Sequence, residues 1–214
     1  AQHGLEDHSH GAGVPVQIRH ARHKSTSVED YEKPTKFEEV WKYFPLDKLA
    51  GLDEAVYAEL ENDHFGIELN QGASAELVDS TDELVGSAGT PEDRVSAAAW
   101  TNASKTLKVI LSGESSEPHY IRITADEKPR AAHIVVHAEP NSQATLVLDH
   151  QGHGKLAENV EIIVGQGANL SLITIQDWDA SSIHVSNHFA KLEKDSNLKH
   201  VVVSMEGEAI RIVP

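Results

Sequence analysis

The chain of 214 residues contains no cysteine. This absence excludes disulfide bonds, a thiolate nucleophile, and cysteine-ligated zinc or iron–sulfur sites formed by this chain alone. Any chemistry that needs a thiolate would have to come from another chain.

Basic residues are also scarce, with 18 Lys and Arg against 34 Asp and Glu and a formal net charge of −16. Binding to nucleic acid without sequence preference relies on clustered Lys and Arg that release counterions from phosphates. No basic run is dense enough for that role, so we do not expect nucleic-acid binding.

Long hydrophobic runs are missing as well. No apolar stretch approaches the roughly 20 residues needed to span a bilayer, and the first ten residues lack the basic-then-apolar pattern of a signal peptide. The hydrophobic content of 39% is still enough for a real core. We therefore expect a cytoplasmic globular protein, with no membrane partner. The first residue is Ala and the chain stops within the apolar pattern AIRIVP, which suggests a piece excised from a longer protein.

The composition changes along the chain in three steps. Residues 1–28 contain five histidines and few large apolar groups, so burial cannot offset the cost of ordering them. We interpret 1–28 as a flexible His-rich arm, 29–104 as a helical and mixed region, and 105–214 as a β-rich core that is truncated at its C-terminal end. A flexible tract of this kind usually binds metal weakly, so we assign no defined site to the arm. Its histidines are His3, His8, His10, His20 and His23.

Aromatic residues make up only 5% of the chain, yet four of them lie within residues 37–44. The positions of Phe37, Val40, Trp41 and Phe44 follow the i, i+3, i+4, i+7 spacing of one helical face. Because the residue before a proline is pushed out of the helical region, this short amphipathic helix should end at Pro45.

A second short helix is predicted in the stretch TPEDRVSAAAWTNA. Thr90 is placed to be its N-cap and Pro91 its first residue, with Glu92 and Asp93 in the first turn. Trp100 marks its end.

Beyond Ser104 the chain reads as a succession of short strands. Three passages can be superimposed, HAEPNSQATLVL, VGQGANLSLI and LEKDSNLKHVV, with Leu146, Leu170 and Leu198 at the equivalent position. A near-regular repeat of β-rich units predicts a solenoid of stacked coils. An antiparallel sandwich also has many short strands, and the pattern alone does not choose between the two. The predicted strands are LKVILS, HYIRIT, AHIVVHA, ATLVLDH, VEIIV, NLSLITI, IHVSNHFAKL, LKHVVVSM and AIRIV.

Two pairs of histidines have strand spacing. His184 and His188 are four residues apart, as are His133 and His137, so the members of each pair should point to the same face of their strand. Shared direction is necessary for binding a common metal ion but is not sufficient.

The sequence LDHQGHG contains the densest polar cluster of the β region, with Asp149, His150 and His153. A metal site would need further ligands and their hydrogen-bonded supports, and no convergence of such groups is visible. We interpret the cluster as a polar surface turn and assign no metal ligand and no cofactor-binding residue.

Two acids, Asp177 and Asp179, flank Trp178 in IQDWD. Paired carboxylates can hydrolyse glycosidic bonds when they are correctly separated, so a carbohydrate-binding or carbohydrate-active β-helix is the alternative function. No serine elbow, zinc-protease motif or phosphate-binding loop is present. We assign no catalytic residue and do not expect an enzyme.

Several long blocks resemble the SufB/SufD family of iron–sulfur cluster assembly proteins, in particular its SufD branch. The blocks occur in the order found in the actinobacterial form of the family, and the resemblance covers nearly everything after the arm. They are EEVWKYFPLDKLAGL, PEDRVSAAAW, LVLDHQGHGKLAENVEIIVGQGANLSLITIQDWD and HVSNHFAKLEKDSNLKHVVVSMEGEAIR.

The resemblance implies a helical N-terminal region followed by a right-handed parallel β-helix, and thus decides for the solenoid. It also implies a SufB-like homologue and a SufC-like ATPase as partners in a cytoplasmic complex that builds iron–sulfur clusters. The cluster would be handled by the whole complex, and the ATPase would be the enzyme. Trp41 and Phe44 would then pack the first helix against the first coil and close the end of the solenoid.

The resemblance places the family's partner-binding segments and its cluster-forming histidine in a C-terminal part that has no counterpart here. We therefore assign no residue to cluster formation. A truncated solenoid exposes an unpaired coil, so we also expect non-native self-association through that end.

Overall fold

The computed structural model describes residues 23–213. Within that range the chain forms twelve strands, one α-helix and four short 3-10 helices. The strands are β1 (Ala58–Glu59), β2 (Phe65–Glu68), β3 (Ala73–Asp79), β4 (Lys105–Leu111), β5 (His119–Thr124), β6 (Pro129–Ala138), β7 (Gln143–Gly152), β8 (Lys155–Val164), β9 (Asn169–Trp178), β10 (Ile183–Leu192), β11 (Asn197–Glu206) and β12 (Ala209–Val213). The helices are α1 (Arg94–Asn102) and the 3-10 segments Val28–Asp30, Glu39–Trp41, Leu46–Lys48 and Asn62–His64.

The β-rich region is a parallel solenoid of about four turns, which confirms the predicted β-helix. One sheet has the order β12-β10-β8-β6-β4-β3 and the other the order β11-β9-β7-β5-β2. From β4 and β5 onward the neighbouring strands of each sheet are parallel. In an antiparallel sandwich the neighbouring strands would run in opposite directions, so that alternative is wrong.

The predicted superposition of the three repeats is correct for Leu170 and Leu198. For Leu146 and Leu170 it is two residues out of register. Leu170 stacks on Leu198, but Leu146 stacks on Leu172, and Ala144 is the true counterpart of Leu170. Because side chains alternate between faces with a period of two, a two-residue slip keeps every leucine on the inner face. The hydrophobic pattern alone could not reveal it.

The interior of the solenoid changes character along its axis. Around β4 to β7 it is filled by aliphatic side chains such as Leu107, Ile121 and Ile134. From the end of β7 to β10 the inward positions include histidine, glutamate, glutamine, serine and threonine. These polar residues are His150, Glu158, Thr174, Gln176, His184, Ser186 and His188, all buried.

Two antiparallel strands flank the first coil. β2 pairs with β5 and β3 pairs with β4, so each sheet begins with a strand that runs against its neighbour. These strands, and not the aromatic segment, cover the first edge of each sheet, which a solenoid must protect from unwanted pairing.

The predicted amphipathic helix at residues 37–44 is wrong. The segment forms a single 3-10 turn, Glu39–Trp41, and the Phe37 side chain is fully exposed. Pro45 removes Phe44 from the helical region, and the remaining residues are too few to offset the cost of helix nucleation.

Trp41 packs on the side of the solenoid. Its fully buried ring belongs to a cluster with Ala157 of β8, Val185 of β10 and Ala209 of β12, on the outward face of those strands. The predicted contact with the first coil is therefore wrong. The segment around Trp41 packs across three successive coils.

The helix α1 begins three residues later than predicted. Asp93 is the N-cap and its side chain accepts a hydrogen bond from Ser96 N. The Pro91 carbonyl oxygen accepts from Ser25 N at 3.2 Å and from the Tyr31 hydroxyl at 2.6 Å, which keeps Pro91 outside the helix. The sequence contains two good cap positions, and these contacts select the second.

The predicted arm falls mainly on residues 1–22, which lie outside the described residues. Its last part, residues 23–28, contacts the body of the protein: the Thr26 carbonyl oxygen accepts from the Thr101 hydroxyl, and the Val28 side chain is buried. The division at residues 28 and 104 stays a prediction. No helix in the range 23–213 is long and apolar enough to cross a membrane.

Candidate functional site

Three ionisable side chains meet inside the polar part of the solenoid. His150 is on β7, Glu158 on β8 and His184 on β10, and all three are inaccessible to solvent. Each occupies an inward position of its strand, so the alternation of the β-sheet directs all three into the space between the two sheets.

The side chains approach within contact distance of one another. His150 Nε2 lies 3.1 Å from both carboxylate oxygens of Glu158, and His184 Nε2 lies 3.3 Å from Glu158 Oε2. One ligand atom from each residue fits within 4.8 Å of the other two. The result is a buried set of two imidazoles and one carboxylate.

A second layer of hydrogen bonds orients the imidazoles. Gln176 Oε1 accepts from the Trp178 indole N–H at 2.8 Å and lies 2.6 Å from His184 Nδ1. His150 Nδ1 lies 3.1 Å from the Ile175 carbonyl oxygen. Both rings are thereby fixed through Nδ1, with Nε2 directed at Glu158.

A chain of polar side chains leads from this set toward the last coil. The Ser186 hydroxyl donates to Glu158 Oε2 at 3.0 Å, and His188 Nε2 lies 2.8 Å from the same hydroxyl. His188 stacks on His200, with 3.2 Å between His188 Nδ1 and His200 Nε2. His200 is partly exposed, so the chain connects the interior to the surface.

Burial and charge shift the titration of this group strongly. Burial alone would raise the pKa of Glu158, but His150 and His184 outweigh it and hold that pKa well below its usual value. Burial lowers the pKa of His184 to about 4 and that of His188 to about 3. His184 and His188 are therefore neutral imidazoles near pH 7.

Comparison with known proteins shows what this region is similar to. Residues 121–214 match the model of the SufBD core domain of the SUF system for FeS cluster assembly. An iron–sulfur cluster assembly SufBD family protein of Mycobacterium leprae is 31% identical over 192 residues, which cover 88% of this chain and 49% of the relative. The corresponding protein of Mycobacterium tuberculosis is 31% identical over 192 residues, with 88% and 48% coverage.

These matches show similarity to SufBD family proteins. The chain spans about half the length of the curated relatives it matches. The SufBD core match begins in β5 and extends through β12, so it contains His150, Glu158 and His184 together with the residues that orient them.

The interpretation of LDHQGHG as a polar surface turn fits His153 and is wrong for Asp149 and His150, which both lie on β7. His150 is buried on β7, whereas Asp149 is only partly buried and contacts Gln151. His153 lies in the turn after β7, with its Nδ1 3.0 Å from the Ser181 hydroxyl. The strand continues through Gly152, two residues further than the predicted strand, which brings His150 inside.

Both histidine pairs lie on a common face of their strand, as predicted. His184 and His188 point into the solenoid, while His133 and His137 point outward. His133 Nε2 lies 2.8 Å from Glu161 Oε1, beneath the Trp100 ring. The two histidines of a pair do not converge on a common site. His184 contacts Glu158 together with His150, and His133 contacts Glu161.

The two acids of the alternative carbohydrate function do not form an enclosed pair. Asp177 and Asp179 are exposed, and the buried side chain between them, Trp178, points into the interior.

Glu158 and Gln176 were not predicted from the sequence. In KLAENVEIIV the side chains of Leu156, Glu158 and Val160 point into the solenoid. The glutamate therefore occupies a core position between two apolar residues. The register places Gln176 on His150, 26 residues away. Alternation and the true repeat length together would have found both residues.

Proposed function

We propose that the chain is the first part of a SufD-type subunit of a SufB–SufC–SufD complex that assembles iron–sulfur clusters in the cytoplasm. In this role it is a non-catalytic platform that supports cluster formation and delivery through a SufB-like homologue and a SufC-like ATPase. The observation that carries the proposal is the SufBD core match over residues 121–214, which coincides with the β-solenoid.

The open edge of the solenoid fits a platform that continues beyond the described coils. β11 and β12 are the last strands of their sheets, and β11 has no strand on its outer side among the described residues. Near that edge Val203 is 42% and Met205 67% exposed. Unpaired strand edges with apolar side chains are where further strands add, either from the same subunit or from a partner.

The composition supports a role as partner rather than as principal cluster scaffold. Iron–sulfur clusters are held mainly by cysteine thiolates, and this chain has none. Cysteine ligands would therefore be supplied by the SufB-like homologue.

The test is an affinity capture of the full-length parent protein from lysate of its own cells, under anaerobic conditions and at low salt. We expect an ABC-type ATPase and a cysteine-containing SufB-like homologue in comparable amounts by mass spectrometry. Recovery of neither protein would contradict the proposal. The same capture with residues 1–214 alone shows whether the contacts lie in this part of the chain.

A further inference from the structure

We propose that His150, Glu158 and His184 bind a divalent first-row transition-metal ion inside the solenoid. The ion would be held by Nε2 of each imidazole and by the carboxylate. This site does not depend on the function proposed above, because it rests only on the contacts within residues 150–200.

The protonation of His184 is fixed by its neighbours. The Trp178 indole can only donate, so the Gln176 atom that it meets at 2.8 Å is the oxygen. His184 Nδ1 is 2.6 Å from that same oxygen, much nearer than the Trp178 indole nitrogen at 3.3 Å, so the shorter contact places the proton on Nδ1. A neutral His184 therefore has a lone pair at Nε2.

That lone pair faces a carboxylate. His184 Nε2 is buried, has no hydrogen-bond partner among residues 23–213, and lies 3.3 Å from Glu158 Oε2. Two acceptors at this distance repel each other unless a cation lies between or beside them, and burial makes the repulsion stronger. A metal ion bound to both atoms removes the conflict.

His150 approaches the same carboxylate from the opposite sheet. Its Nδ1 is 3.1 Å from the Ile175 carbonyl oxygen, nearer than the Gln176 amide nitrogen at 3.3 Å, and its Nε2 faces both Glu158 oxygens. Metal-binding histidines usually donate the ring N–H that is remote from the metal to a carbonyl or carboxylate. Glu158 is in turn supported by the Ser186 hydroxyl.

The spacing suits a small ion. Two ligand atoms about 2.1 Å from a metal lie about 3.0 to 3.4 Å apart in octahedral or tetrahedral geometry. The imidazole-to-carboxylate distances are 3.1 and 3.3 Å. Two imidazoles with one carboxylate favour Zn²⁺, Co²⁺ or Fe²⁺ over Mg²⁺, which prefers oxygen ligands.

A chain of polar side chains joins the site to the last described coil. Ser186, His188 and His200 connect Glu158 to the partly exposed edge through contacts of 3.2 Å or less. The imidazoles of His188 and His200 can each bind a metal ion transiently.

A second buried pair in the same strand shows what a purely structural arrangement looks like. Glu161 contacts His133, but its two carboxylate oxygens also accept from the backbone N–H groups of Gly86 and Ala88 at 2.7 and 2.9 Å. The charge of Glu161 is therefore stabilised by backbone donors, and only one imidazole approaches it. Glu161→Gln is the matched control for Glu158→Gln.

The test measures Zn²⁺ bound to the complete 214-residue chain after equilibrium dialysis against a competing chelator, with Mg²⁺ in excess. The parent and Glu161→Gln should each retain one equivalent that Glu158→Gln lacks, with at least a tenfold loss of affinity in Glu158→Gln. Binding by the histidines of residues 1–22 is common to all three proteins and cancels in the comparison. Equal retention by the parent and a folded Glu158→Gln would overturn the proposal.

A second measurement leaves the ligands intact. The Trp178 ring centroid lies 5.3 Å from that of His184, so Co²⁺ in the site should quench Trp178 fluorescence. We expect one equivalent of Co²⁺ to quench the parent, and Trp178→Phe to lose that component of the signal. If quenching is unchanged in Trp178→Phe, the ion is elsewhere, and a shared proton between His184 and Glu158 takes its place.

Discussion

Replacement of Trp41 by alanine should cost about 3 to 5 kcal/mol of folding free energy. The ring is completely buried across β8, β10 and β12. A buried tryptophan removes roughly 200 Å² from water, which at about 25 cal/mol per Å² corresponds to about 5 kcal/mol. Relaxation of the surrounding side chains would reduce the loss.

Two further contacts of the ring bear on this magnitude. The Arg211 guanidinium lies 4.1 Å from the centroid of the ring, and Phe44 meets the ring edge-on at 5.6 Å. Their loss adds on the order of 1 kcal/mol each. Within the described part of the chain the indole N–H has no hydrogen-bond partner, so no hydrogen bond to these residues is lost with the ring.

Urea unfolding followed by far-UV circular dichroism measures the change by linear extrapolation. Tyr43→Ala is the matched control, because Tyr43 belongs to the same segment but is 88% exposed, and it should change the stability by less than about 0.5 kcal/mol. A loss below about 0.5 kcal/mol for Trp41→Ala, or equal losses for the two variants, would refute the burial of the ring against three coils.

Three other outcomes are expected. His184 and His188 have pKa values of about 4 and about 3 when folded and 6.5 when unfolded, so the unfolded state binds protons first as the pH falls. The free energy of unfolding should be greatest above about pH 6.5 and fall between pH 6.5 and 4, by on the order of 3 kcal/mol for His184. If urea unfolding without added metal shows no loss of stability across this range, the burial of His184 and His188 is contradicted. Asp93→Ala should lose at least about 1 to 2 kcal/mol of stability in urea, because it removes both the cap on Ser96 N and the ion pair with Arg211 at 3.5 Å; Asp93→Asn keeps the cap acceptor and should lose less, and a loss below about 0.5 kcal/mol for Asp93→Ala would exclude the capping role. Gly165→Ala should destabilise by about 1 to 3 kcal/mol in the same assay, because the new Cβ would lie 2.8 Å from a backbone nitrogen of the neighbouring turn, and unchanged stability would show that this turn is loose.

The strands were predictable because each coil repeats the same local chemistry. Alternating apolar residues that end in a polar turn specify a strand with one buried face, and all nine predicted strands occur. The N-terminal region was harder, since the position of Trp41 depends on a contact with Ala209, far along the chain. No local pattern encodes which coil a segment crosses.

The buried cluster was only partly visible for a related reason. His150 and His184 were each considered from the sequence, but they are 34 residues apart, were treated separately, and neither was assigned to a metal site. Their meeting point depends on the stacking register of β7 to β10, and the register was judged from leucines that are two residues out of step. An error of that size leaves the fold unchanged but hides which polar residues share a layer.

Because the interior changes from aliphatic to polar along the axis, local unfolding of the solenoid should begin at its polar end. Stacked repeats unfold as a series of neighbouring units, and each unit is only as stable as the surface that it shares with the next. Amide protons of β4 to β7 should therefore exchange with deuterium more slowly than those of β10 to β12, with β8 and β9 between them. With such a gradient the coils of β4 to β7 stay folded longest, and the coils of β10 to β12 are the first to be exposed by local unfolding.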